Sequence, residues 1–73
     1  MFTCKIYGYA NWLHDLADDM GVEITYDGWN GQIDDHLMVI KTGVLQAVML
    51  SRKIHSWNKA HKLKGKEAIR ISL

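Results

Sequence analysis

The apolar residues of this 73-residue chain switch repeatedly between spacing at every second position and spacing at every third or fourth. Period two marks a strand with one covered face, and a period near 3.6 marks a helix with one apolar stripe. A chain that alternates between the two needs a layer of sheet and a layer of helix, each burying the other's apolar side. At this length only one core can form, so residues 1–73 are read as a single domain.

Residues 2–7 alternate, with Phe2, Cys4 and Ile6 on one side and Thr3, Lys5 and Tyr7 on the other. Residues 10–20 take helical spacing, since Leu13, Leu16, Ala17 and Met20 share a face and Gly21 stands where a glycine ends a helix. Residues 22–26 alternate again. Asp27-Gly28 and Asn30-Gly31 are both turn signals and predict a hairpin turn over 27–31. The returning strand falls within 32–41, although the continuous run Leu37, Met38, Val39 and Ile40 also suits a helix over 33–41. Thr42 is placed to cap a long helix from 43 or 44 to about 62, whose apolar arc holds Val44, Ala47, Val48, Leu50, Ile54 and Trp57, extended in its first half by Leu45 and Met49. Gly65 marks a turn, and residues 67–73 alternate with Ile69, Ile71 and Leu73 inward. The order β-α-β-β-α-β predicts an α+β chain in two layers. It is the split-βαβ, ferredoxin-like arrangement, with both helices on one face of a four-stranded antiparallel sheet.

Charge is sorted along the chain. Residues 1–36 set Lys5 against Asp15, Asp18, Asp19, Glu23, Asp27, Asp34 and Asp35, a net of −6. Residues 37–73 set Lys41, Arg52, Lys53, Lys59, Lys62, Lys64, Lys66 and Arg70 against Glu67, a net of +7. Helical spacing puts Arg52, His55, Lys59 and Lys62 on one face, continued by Lys64 and Lys66. Asp15, Asp18 and Asp19 line the exposed side of the first helix, so an acidic strip is expected beside a basic one. Solvated, mutually neutralising faces would explain such strips without any partner. Among partners, a protein matched by charge is favoured over nucleic acid, because the chain's total is only +1 and the neighbouring carboxylates would repel phosphates. The open sheet face, with Thr3, Lys5, Tyr7, Arg70 and Ser72, carries one clear aromatic residue and no RNA-platform signature.

Trp29, between two turn signals, is expected at a loop tip, either folded back over the core edge, the reading preferred here, or exposed as a contact anchor. Trp12 is expected to be partly buried and Trp57 to lie in the core. Metal and catalytic motifs are absent from the sequence. His14 with Asp15 and Asp18 lacks a fixed third ligand. Asp34, Asp35 and His36 would point to alternating sides of a strand. No phosphate-binding glycine loop occurs, and the alternation turns Cys4 inward, away from nucleophilic chemistry. No cofactor, no metal and no enzyme activity is therefore expected. A single inward cysteine suits a reducing, cytoplasmic setting, and the chain opens on a strand rather than a leader or a membrane span. The sequence reads as a small protein-interaction module, a regulator or inhibitor that occupies a partner's surface. The expected contacts are Asp15, Asp18, Asp19, Trp29, Arg52, His55, Lys59, Lys62, Lys64 and Lys66. Nucleic-acid binding through the basic stripe, and charge-paired self-association, are the alternatives.

Overall fold

A computed structural model describes residues 1–72. The elements run β1 (Phe2–Tyr7), α1 (Asn11–Asp19), β2 (Glu23–Asn30), β3 (Asp35–Thr42), α2 (Val44–Ala60), a 3-10 turn (Gly65–Glu67) and β4 (Arg70–Ser72). The four strands form one sheet in the order β2-β3-β1-β4, and each neighbouring pair is antiparallel. The chain is thus α+β, with two helices over a four-stranded antiparallel sheet.

The central pair sets the core. Cys4 lies opposite Ile40 and Ile6 opposite Met38, and all four are buried. Leu13 and Ala17 of α1 and Ala47, Leu50 and Ile54 of α2 cover them. Burying a side chain such as Ile6, Ile40 or Leu50 contributes about 1.5–3 kcal/mol. The run at 37–40 is strand, which excludes the helical alternative for 33–41: Met38 and Ile40 face the helices, while Leu37 and Val39 are half-buried on the open face.

Helix ends follow backbone hydrogen bonding more closely than residue type. α1 stops in a Schellman turn: Val22 N–H donates to the Ala17 carbonyl and Gly21 N–H to that of Asp18, with Gly21 at φ +74°. α2 does not take Thr42 as its cap. Thr42 is the last residue of β3 and is buried, and Gly43 is the N-cap. The Gln46 side chain reaches back to accept from Gly43 N–H at 3.0 Å and donates to the Met20 carbonyl at 2.9 Å, which ties the two helices together. At its other end α2 stops at Ala60, close to the expected end near 62. Lys62 takes a left-handed conformation, φ +55°, and Leu63 N–H closes on the Asn58 carbonyl.

Two other boundaries differ from expectation. The hairpin turn is Gly31–Asp34, not 27–31, since β2 continues through Asp27 and Gly28 to Asn30. Asn30 makes the turn: its Oδ1 accepts from Gln32 N–H and Ile33 N–H. Residues 67–69 are not strand, and β4 begins at Arg70. The Arg70 guanidinium gathers the carbonyls of Gly65, Lys66 and Ala68, which favours a turn there. Its other nitrogen pairs with Asp35 of β3. Ile69 is buried as expected and Ile71 is half-buried. The expected inward position of Leu73 lies outside the described residues.

Asn58 fixes the last segment to α2. Its Nδ2 donates to the Ile69 carbonyl at 2.8 Å and its Oδ1 accepts from Ile69 N–H at 2.9 Å, as a neighbouring strand would.

Candidate functional site

Helix α1 presents three sides. Leu13 and Ala17 face the sheet. Trp12 and Leu16 turn toward α2, where the Trp12 and Trp57 rings meet at 5.4 Å between centroids. His14 and Asp18 turn the other way, toward β2: His14 Nδ1 is 2.7 Å from Asp27 Oδ2, and its Nε2 is 3.4 Å from Asp18 Oδ2. Asp15 and Asp19 are exposed.

Helix α2 is sided in the same manner. Lys53, Ser56, Trp57 and Ala60 border a cleft shared with Trp12 and Leu16. Arg52 lies on the opposite side, with Phe2, Val44, Val48 and Ile71, over β4 and the end of β1. His55 and Lys59, three and seven residues on, continue from Arg52 along that side. Since β2 and β4 are opposite edges of the sheet, the acidic side of α1 and the basic side of α2 face away from each other. This corrects the expectation of adjacent strips. No ion pair among the described residues joins a carboxylate of α1 to a cation of α2.

The basic side is largely unneutralised. Among the described residues, no carboxylate lies within salt-bridge distance of Arg52, Lys53, Lys59, Lys62 or Lys64. Lys66 pairs with Asp34 at 3.4 Å on the surface. Lys62 does not extend the helical stripe, because it sits in the left-handed turn, so Arg52, His55 and Lys59 form the helical part and Lys62, Lys64 and Lys66 the following loop.

The tryptophans are placed differently from one another. Trp29 is not at a loop tip: it belongs to β2, opposite His36, and it is 62% exposed rather than folded over the core. Trp57 is half-buried rather than in the core. Its ring lies between Trp12 and His61, stacked on the latter at 3.8 Å. Trp12 is partly buried, as expected.

One polar cluster joins residues that sequence spacing keeps apart. Asp27 holds His14 through one oxygen and His36 through the other, with His36 Nε2 at 3.5 Å. Tyr9 packs edge-on against His36, ring centroids 5.1 Å apart. A bulge in β2 creates this meeting. Ile24 pairs with Ile40 but Tyr26 pairs with Val39, so Thr25 is an extra residue. Simple alternation from Ile24 would turn Asp27 to the open face. The extra residue turns Asp27 and Trp29 to the helix face and Tyr26 outward. The hydrogen bond from Asp27, supported by the charges of Asp18, Asp27 and Asp15, raises the His14 pKa above its ordinary 6.5.

Chain similarity does not assign this arrangement. No family model, curated protein or solved structure matches the chain.

Neither His14 nor His36 hydrogen-bonds a serine, threonine or cysteine among the described residues. Cys4 is buried and burial pushes its thiol pKa up, which suppresses the reactive thiolate. No group of three or more His, Cys, Asp and Glu side chains among the described residues is disposed to hold a metal. No helix among them is long and apolar enough to cross a membrane.

Proposed function

We propose that this chain is a protein-interaction module that takes an acidic surface of a partner protein on the second half of α2 and the loop after it, as a regulator or inhibitor would. The reading rests on one observation: Arg52, Lys53, Lys59, Lys62 and Lys64 have no carboxylate within salt-bridge distance among the described residues, while the acidic residues of α1 face the other edge of the sheet. Solvated cations of this kind steer an oppositely charged partner and fix its register. The cleft of Trp12, Leu16, Trp57 and Ala60 lies round the helix from Arg52 and Lys59 and is rimmed by Lys53, so it offers an apolar seat to a partner that wraps this half of α2. A protein surface offers apolar and acidic groups together, whereas a phosphate backbone offers only charge. His55 and Lys66 complete the basic contact set. Asp15, Asp18, Asp19 and Trp29, on the opposite flank, form a second surface that a partner on α2 leaves open. The element order and the strand order support reading the architecture as the ferredoxin-like split-βαβ arrangement. A reducing compartment such as the cytoplasm suits the buried free Cys4.

One observation favours nucleic acid as the second reading. With the α1 carboxylates turned away, repulsion of phosphates by the adjoining helix is weaker than the sequence suggested. Fluorescence anisotropy separates the two readings. A labelled peptide alternating glutamate and leucine is compared with a mixed-sequence oligonucleotide at several salt concentrations. The protein reading expects tighter binding to the peptide, weakened at least about tenfold by combined Lys59→Glu and Lys62→Glu substitution. Binding to the oligonucleotide alone, with the log-log salt slope of counterion release, would transfer the surface to nucleic acid. Binding to neither would remove both.

A further inference from the structure

From Thr42 to Ser51 the chain carries no charged residue, and from Arg52 onward basic residues dominate. The uncharged half of α2 is nevertheless open to solvent. Val44 is 71% exposed, Leu45 75%, Val48 41% and Met49 53%. These four positions recur at i, i+1, i+4 and i+5, so they form one continuous apolar face pointing away from Ala47, Leu50 and Ile54. Soluble domains scatter single exposed apolar residues freely, but a contiguous patch of this kind marks a contact surface.

We propose that this face pairs with the same face of a second copy of the chain, the two α2 helices lying antiparallel across a two-fold axis near Val48. Charge selects both the occupant and the direction. The uncharged segment has no electrostatic feature that a differently charged partner could read, but it is complementary to itself. Parallel pairing would bring Arg52 and Lys59 of one copy beside those of the other. Antiparallel pairing sends the two basic halves to opposite ends and also opposes the helix dipoles. Area decides strength. The four side chains leave on the order of 450 Å² of surface open, so two copies cover about 900 Å² from them alone. Flanking atoms bring the total toward the roughly 1,200 Å² where stable interfaces begin. A reversible dimer of about micromolar affinity or weaker is the consequence. This pairing is separable from the acidic-partner reading, because it centres on the other half of α2 and shares with it only the bordering Arg52. A dimer would present two basic ends and so bind multivalent acidic surfaces with avidity.

Sedimentation velocity on the whole chain, over about 5–500 μM, tests the proposal. The expected result is a monomer–dimer equilibrium that persists or tightens between about 0.05 and 0.5 M salt, as apolar contact requires. Leu45→Glu with Met49→Glu should weaken it at least about tenfold while circular dichroism stays native, since both side chains are more than half exposed. In a second arm, Val48→Cys, at the two-fold axis, treated with oxidised glutathione should give a disulfide-linked dimer, two thiols forming one disulfide as the glutathione is reduced. Lys59→Cys under the same treatment should not. A monomer throughout the range, a dimer that dissolves with added salt, or a dimer indifferent to the Leu45 and Met49 substitutions would each overturn the proposal. The peptide assay reads the other surface: the Leu45→Glu, Met49→Glu variant should still bind the acidic peptide, and the Lys59→Glu, Lys62→Glu variant should still dimerise.

Discussion

Replacing Asn58 by alanine tests the attachment of the last segment most directly. The substitution deletes both hydrogen bonds to Ile69, whose backbone is held against α2 at 2.8 and 2.9 Å. Ile69 is buried, so its N–H and C=O are not simply returned to water. A typical hydrogen bond contributes a net of about 1 kcal/mol, and stranding a buried partner costs about 1–3 kcal/mol. With partial relaxation the loss should be about 2–4 kcal/mol. Against a total of about 5 kcal/mol for a domain of this size, that is about 40–80% of the stability, and the melting midpoint should fall by roughly 10–30 °C. Urea unfolding followed by far-ultraviolet circular dichroism measures it, with exposed Ser56→Ala as a control expected within about 0.5 kcal/mol of the parent. Asn58→Asp should not rescue. It keeps an acceptor for Ile69 N–H but sets a carboxylate against the Ile69 carbonyl. If Asn58→Ala unfolds within about 0.5 kcal/mol of the parent, with an unchanged denaturant slope, the strand-mimicking bonds are not made and the reasoning fails.

Three further outcomes are expected. The His14 imidazole, followed by NMR, should titrate above 6.5 and move back toward it in Asp27→Asn. Because its folded pKa is raised, the stabilisation is complete below 6.5 and is lost as pH rises through the folded value; the parent should therefore be more stable at about pH 6 than at pH 8, a difference reduced in His14→Gln. Lys62→Gly should stabilise by about 0.5–1 kcal/mol in chemical denaturation, because glycine adopts the left-handed turn at φ +55° without the Cβ penalty; a destabilised variant would mean that the turn is not formed. Cys4 should react with a thiol reagent only as fast as the fold opens, and a rate near that of the unfolded chain would contradict its burial.

Where one face of an element is buried, its sequence is enough to place it. Phe2 to Tyr7 and the stripe of Leu13, Leu16, Ala17 and Met20 are of this kind, and their boundaries fall within a residue or two. Gly21 was readable because only its lack of a Cβ suits the turn it makes. The misplaced features share a different cause. The Asp27-Gly28 pair looks like a turn, but Gly28 lies in β2 opposite Leu37, and Asp27 is held by His14 and His36 from two other elements. A turn signal is local, and these partners lie nine and thirteen residues away. Thr42 has the chemistry of a cap, yet Gln46 supplies the bond to Gly43 N–H, and composition cannot rank the two. The basic stripe was legible as far as Lys59 because helical spacing fixes its face. Its separation from the acidic helix was not, since that depends on which side of each helix meets the other. The pairing of Trp12 with Trp57 decides this, and neither residue advertises it.

The extra residue in β2 also bears on how the molecule avoids unwanted neighbours. β2 is an edge strand eight residues long, and an edge of that length is a template on which other chains can add strands and begin to aggregate. At Thr25 the strand loses its even pleat, and the Thr25 hydroxyl is spent on the Val39 carbonyl of the adjoining strand. Glu23 and Asp27 set like charges to either side of the irregularity, so a second β2 laid alongside would meet both a mismatch in register and electrostatic repulsion. Smoothing this strand, by deleting Thr25 or neutralising its acids, would make the chain more prone to form fibres at concentrations where the native sequence stays dispersed.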